Sequence, residues 1–225
     1  MLEILTESLQ IEPGVVVLLF MLPIVVTLIA IARHIFGLRA LSVFIAIILV
    51  FTFYQFGLEP EGFRSDPVNG LKFGITFLLL VFVTTTVTYG LIKNWALHYY
   101  PKLAIVMTSV ATVIVLVLLI AARFDVTGIV NLNLFSILLL AAMAEKLMSL
   151  LARKNFQATL GITIESFLLA GMIYLLISWH QFQNFTLASP YLIILLIPIN
   201  YIIGRFSGLR FKELYRFRDI LDRDE

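Results

Sequence analysis

The chain has 225 residues, 61% of them apolar and 13% charged, with 16 basic and 14 acidic side chains and a formal net charge of +2. A water-soluble domain of this length needs a polar skin that this composition does not supply, and so small a net charge makes no case for nucleic acid as a partner. Cysteine is absent, which removes disulfides, thiolate metal sites and a cysteine nucleophile together.

At the start of the chain Glu3, Glu7 and Glu12 stand where a cleavable signal peptide would carry Lys or Arg. Seven apolar runs follow, and each is expected to be a helix, because backbone groups cannot stay unpaired in hydrocarbon and about 20 residues at 1.5 Å rise suffice to cross. They are Gly14–Ala32, Ala40–Gly57, Leu71–Ile92, Leu103–Ala122, Leu132–Leu151, Ala158–Trp179 and Ala188–Ile203. Pro23 and Pro198 fall inside the first and the last, where a missing amide and a ring clash kink a helix. The longest connection, Leu58–Gly70, has thirteen residues and a turn-rich Gly, Pro, Glu and Asp content, so no connection holds a folded domain. The stretches Arg33–Arg39 and Gly204–Arg210 both end in Gly-Leu-Arg, which reads as Gly closing a helix and Arg meeting lipid phosphates. The expected fold is an all-α, polytopic seven-helix transmembrane bundle over residues 1–208, followed by a basic tail, 209–225, that is an interfacial helix or a docking segment.

Lys and Arg give the orientation, since their excess marks the cytoplasmic side. Thirteen of the sixteen (Arg33, Arg39, Lys93, Lys102, Lys146, Arg153, Lys154, Arg205, Arg210, Lys212, Arg216, Arg218 and Arg223) fall on one side, leaving Arg64, Lys72 and Arg123 on the other. An odd number of spans then puts the acidic N-terminus outside and the tail in the cytoplasm.

Ionisable residues inside spans are the most informative positions, because one at mid-helix costs roughly 2.5–3.5 kcal/mol. Glu145 and Lys146 lie in the fifth run and Glu165 in the sixth, at comparable distances from the shared connection, which predicts an ion pair between Glu165 and Lys146. With Thr85, Thr108 and Asn200 they form a candidate intramembrane polar cluster that would line a cavity open to the cytoplasm. The structural alternative has Lys146 snorkelling, a glutamate pairing with it, and the hydroxyls bonding to carbonyls one turn back. On the cytoplasmic face Arg33, Arg39, Lys102, Arg205, Arg210, Arg216 and Arg218 are candidates for docking a partner or contacting lipid phosphates.

His34, His98 and His180 sit at separate span ends with no ligand spacing, so neither metal nor other cofactor is expected. The sequence has no His-Glu-x-x-His, no Gly-x-Ser-x-Gly, no P-loop and no intramembrane Asp pair, and the last run lacks the lysine a retinal Schiff base requires. Trp95, Tyr99, Tyr100 and Trp179 fit the aromatic belt.

Ala32-Arg33-His34-Ile35-Phe36-Gly37, Tyr100-Pro101-Lys102-Leu103-Ala104-Ile105-Val106-Met107-Thr108, and Ile197-Pro198-Ile199-Asn200-Tyr201-Ile202-Ile203-Gly204-Arg205 leading into Gly208-Leu209-Arg210 and Tyr215-Arg216-Phe217-Arg218 carry a resemblance, to which Ala144-Glu145-Lys146 adds. Together they resemble the bacterial seven-transmembrane domain usually fused behind an inactive transglutaminase-like domain, over nearly the whole chain. That family is in turn distantly similar to the small membrane subunit of poly-γ-glutamate synthases. The resemblance implies residence in the bacterial cytoplasmic (inner) membrane and association with a cytosolic ATP-grasp, glutamate-ligase-like protein, often with a retropepsin-like protease, in a peptide-modifying or envelope-stress system. It supplies no catalytic residue. Only thirteen residues precede the first run, so the chain is expected to be a stand-alone or trimmed version, or to meet a transglutaminase-like or protease partner outside the cytoplasm as a separate chain.

Two functions from different classes follow. The first is a non-catalytic scaffold in the lipid bilayer that anchors the ligase-like enzyme. The second is a carrier or exporter of a small anionic or peptidic product that uses the midspan cluster. A third, an intramembrane enzyme with Glu165 as general base, has no recognisable nucleophile or metal to act with.

Overall fold

A computed structural model describes residues 13–38, 42–58, 64–123, 134–189 and 191–205. Within them the secondary structure is helical: α1 (Pro13–His34), α2 (Val43–Phe56), α3 (Pro67–Ile92), α4 (Tyr99–Arg123), α5 (Leu134–Arg153), α6 (Phe156–Ser178), α7 (His180–Ala188) and α8 (Leu192–Arg205). Seven of the eight answer to the seven expected runs. The eighth, α7, forms where a connection was expected. Its Gln181, Gln183 and Asn184 look loop-like in sequence, but Gln183 and Thr186 are buried and the helix packs on α1.

Helix length and charge decide which elements can cross a membrane by themselves. From Val16 onward α1 does so, as do α3, α4 and α6, and α7 with α8 makes a bent pair, turned through 102°, that counts as a fifth candidate. Helix α2 is shorter than the expected Ala40–Gly57 run: its 14 residues span only about 21 Å, short of a core about 30 Å thick. Helix α5 is 20 residues long but carries Glu145, Lys146 and Arg153.

The helix ends follow from local chemistry. Gly37 closes the α1 segment with φ 72, a left-handed conformation that only glycine adopts readily, and the Leu38 amide donates back to the Ala32 carbonyl at 3.3 Å. Asp66 caps α3: one carboxylate oxygen accepts from the Val68 amide at 3.0 Å, the other from the Asn69 side chain at 2.7 Å, and Pro67 follows where no amide partner is needed. The α2–α3 connection is tied at its base, since Asp66 N–H donates to Gly57 O at 2.8 Å and the Ser65 hydroxyl to Tyr54 O at 2.9 Å. At the far end of α3 the Lys102 ammonium donates to the Lys93 carbonyl at 2.9 Å, and Asn155 caps α6 through Ala158 N–H.

The chain divides into two compact units. One holds the described residues of Ile48–Gly161, where α3 packs on both α4 and α5 and α4 on α5. The core here is Phe53, Phe77, Leu78, Val81, Val106, Leu140, Met143 and Leu147. Gly74 lets α3 approach α2 so closely that a Cβ there would overlap the Phe53 ring, and the Phe56 and Phe77 rings stack at 4.9 Å. The opposite face of α3 is apolar too: Ile75, Leu79, Val83, Val87 and Leu91, one per turn, are 46–70% exposed. An exposed aliphatic stripe opposite a packed apolar face is what lipid as solvent calls for.

The other unit holds the described residues of Met1–Ile47 and Ile162–Glu225. Val17, Met21, Val25 and Ile29 form a fully buried stripe along α1, and α1 packs on α7 and α8. Helices α1 and α8 run parallel, because Arg33 and His34 share a cleft with Ile203 and Gly204, whereas Ile24 and Leu28 share a cavity with Leu192 and Leu195.

Candidate functional site

The six residues of the expected intramembrane cluster divide between the units. Glu145, Lys146, Thr85 and Thr108 belong to Ile48–Gly161, Glu165 and Asn200 to the other unit. Lys146 and Glu165 are half-buried, Glu145 is exposed, and Glu165 has a partner of its own. Thr85 is fully buried on α3, and its hydroxyl, with that of Thr86, has no hydrogen-bond partner among the described residues. Thr108 is exposed on α4. Its hydroxyl donates to Ala104 O at 2.9 Å, that of Ser109 to Ile105 O at 2.9 Å and that of Thr112 to Thr108 O at 2.8 Å, so each bonds to the carbonyl one turn back. The three lie along one groove lined by α4 residues alone.

Asn200 is the cluster member with the most defined role. Its amide nitrogen donates to Leu196 O at 2.9 Å and to the Thr27 hydroxyl of α1 at 2.8 Å, and the Thr27 hydroxyl donates in turn to Pro23 O at 2.8 Å. The relay joins the two proline-containing helices: Thr27 is four residues after Pro23 and Asn200 two after Pro198. A polar bridge of this kind holds transmembrane helices together where apolar contact is no better than contact with lipid.

Beside this bridge lies a cleft of about 380 Å³ lined by Arg33, His34, Leu38, Val43, Asn200 and Gly204, with Ala30 and Ile203. It brings together Arg33 and Asn200 of the sequence-derived candidates with His34, expected only as an interfacial residue. Arg205 stacks on Tyr201, its guanidinium 5.8 Å from the ring centre. A second cavity, of about 320 Å³ and almost wholly apolar, lies at the α7–α8 elbow between Ile24, Leu28, Leu176, Phe182, Phe185 and Leu195. Lys102, expected as a docking or phosphate contact, uses one of its three donors on the Lys93 carbonyl at the end of α3. Arg39, Arg210, Arg216 and Arg218 lie outside the described residues, as does the whole 209–225 tail. Among the described residues no cluster of His, Asp and Glu could hold a metal ion.

A helical membrane architecture with cationic helix ends and, among the described residues, no recognisable catalytic grouping does not by itself name a family. The model of one, described as seven transmembrane helices usually fused to an inactive transglutaminase, matches residues 2–221. The chain belongs to that family. No curated protein and no solved structure matches it. Membership agrees with the apolar helices in making the chain a multi-pass membrane protein, and the family's usual fusion to an inactive transglutaminase fits a membrane domain that is not itself the catalyst.

Proposed function

We propose that the chain is a non-catalytic membrane anchor of the bacterial inner membrane that crosses seven times, with its N-terminus outside, and recruits a cytosolic ATP-grasp, ligase-like enzyme to a cationic inner face. The observation that carries this reading is the chemistry of the helix ends. Helices α1, α3, α5 and α8 run into Arg33 and His34, Lys93, Arg153 and Lys154, and Arg205. In a seven-crossing chain these are the four spans that travel in the same direction, so their cations gather on one side. The parallel course of α1 and α8 supports an odd count, and α7, nine residues or about 14 Å, is too short to alter it. The arrangement would parallel that of the small membrane subunit of poly-γ-glutamate synthases, and a transglutaminase-like or protease partner would act on the opposite side. The test is pull-down from detergent-solubilised membranes, with and without residues 209–225 and with Arg33→Glu and Arg205→Glu. Loss of a ligase-like partner on tail deletion or charge reversal is expected; retention of every cytosolic partner in all three variants refutes the docking claim.

A second reading, a carrier or exporter of a small anionic or peptidic product, is favoured by the broken α7–α8 pair and by the half-buried Lys146 and Glu165, since discontinuous helices and midspan ionisable groups mark transport paths. Flux in proteoliposomes that survives Glu165→Gln and Lys146→Met unchanged removes those residues from any such path.

A further inference from the structure

The cleft at the ends of α1 and α8 joins Arg33, a cation of the proposed docking face, to an outward apolar surface that docking a cytosolic protein does not require. We infer that it is a binding site for the headgroup of one anionic phospholipid, with the lipid's tails lying on the apolar surface beside its mouth. Arg33 supplies the charge: it lines the cleft, is half-buried, and among the described residues no carboxylate pairs with it. Neither α1 nor α8 carries an acidic residue, so nothing within the helix pair competes for that guanidinium. Its planar fork of donors matches a phosphate bidentately. Asn200 and His34 complete the polar lining. Both hydrogens of the Asn200 amide nitrogen are committed, to Thr27 and Leu196, so what remains to be offered is the carbonyl oxygen, an acceptor for a hydroxyl of the headgroup.

The surroundings choose the lipid over a soluble anion or a protein. Phe36, Phe44, Tyr201 and Ile202, flanking the lining residues in sequence, are 51–70% exposed, so the polar cleft is set in an outward apolar surface. An acidic peptide or free phosphate gains nothing from that rim, whereas a molecule with a phosphate at one end and acyl chains at the other satisfies both parts at once. At about 380 Å³ the cleft is at the small end of the ordinary range for small-molecule sites and suits a headgroup. Arg205, at the same end of α8, adds a second cation near the phosphate level.

Gly204 provides a test that leaves the fold alone. It lines the cleft, and a Cβ built on it meets nothing within 4 Å, so Gly204→Leu adds bulk at the site without a backbone clash. The experiment is native mass spectrometry of the full chain in detergent, titrated with phosphatidylglycerol, phosphatidylcholine or inorganic phosphate. Helicity is checked by circular dichroism, and Lys102→Gln serves as a cation-removal control outside the cleft. One phosphatidylglycerol per chain, bound in preference to phosphatidylcholine and undiminished in Lys102→Gln, is expected. Arg33→Gln should weaken it by about fivefold or more, the worth of one cation near an anionic surface, and Gly204→Leu should weaken it by adding bulk at the cleft. Unchanged phosphatidylglycerol binding in both folded variants overturns the site. Displacement of the lipid by millimolar inorganic phosphate overturns its assignment to lipid.

Discussion

The Asn200–Thr27 bridge makes a prediction whose size can be worked from its geometry. Replacing Asn200 by Leu removes a 2.8 Å interhelical hydrogen bond, but orphans little: the Thr27 hydroxyl keeps Pro23 O as its acceptor. Thr27→Val removes the other partner at nearly constant volume. Each single substitution therefore carries packing and solvation changes of its own, and only their coupling isolates the bridge. Interhelical hydrogen bonds in membranes average about 0.6 kcal/mol and reach about 1.7, so the double-mutant cycle should give a coupling in that interval, roughly 3- to 18-fold in the unfolding equilibrium constant. The upper part of the interval is expected, because the bond is short and Thr27 is 4% exposed. The assay is equilibrium unfolding in mixed detergent micelles, followed by near-ultraviolet dichroism. Additivity of the two substitutions to within about 0.3 kcal/mol would show that α1 and α8 are not joined through these groups.

Two further outcomes follow from packing. Gly74→Ala should destabilise the chain by up to about 2 kcal/mol: the new methyl overlaps the ring of Phe53, a residue 1% exposed, and the helix-propensity gain of about 1 kcal/mol only partly offsets the overpacking. Gly90→Ala on the same helix, with nothing within 4 Å of the new carbon, should be neutral or stabilising by up to about 1 kcal/mol; the two melts compared in one detergent decide it. On the outward stripe of α3, Val83→Asp should impair insertion by roughly 2.5–3.5 kcal/mol, whereas Val83→Leu should be silent, and equal membrane yields for both would mean that this face is not in lipid.

The helices were legible because length and apolarity suffice to mark them, and the end at Gly37 was legible because glycine closes helices; the start of α3 was not, since Asp66-Pro67, which caps it, lay inside the expected Leu58–Gly70 connection. The direction in which each helix faces was not. In water an apolar stripe marks the inner face, but α4 is apolar on both faces, so nothing in the sequence told whether Thr108 points inward, and it points out. Helix α7 was missed because Gln181, Gln183 and Asn184 resemble a loop unless the packing of its buried face is known. The partner of Asn200 was equally hidden: Thr27 lies 173 residues away, and only the pairing of α1 with α8 brings them together. The midspan charges are the reverse case, conspicuous in sequence yet divided between two units, Lys146 in one and Glu165 in the other.

The natural absence of cysteine makes the topology directly measurable, since any introduced thiol is the only one. Asn69, at the start of α3, and Lys154, just after α5, are both exposed and fall on opposite sides of the membrane if the cationic span ends share the cytoplasmic side. With a membrane-impermeant maleimide, Asn69→Cys should label in intact cells and Lys154→Cys only after lysis. Labelling of both in intact cells, or of Lys154→Cys alone, would contradict the inward-facing cationic surface on which the anchoring role depends.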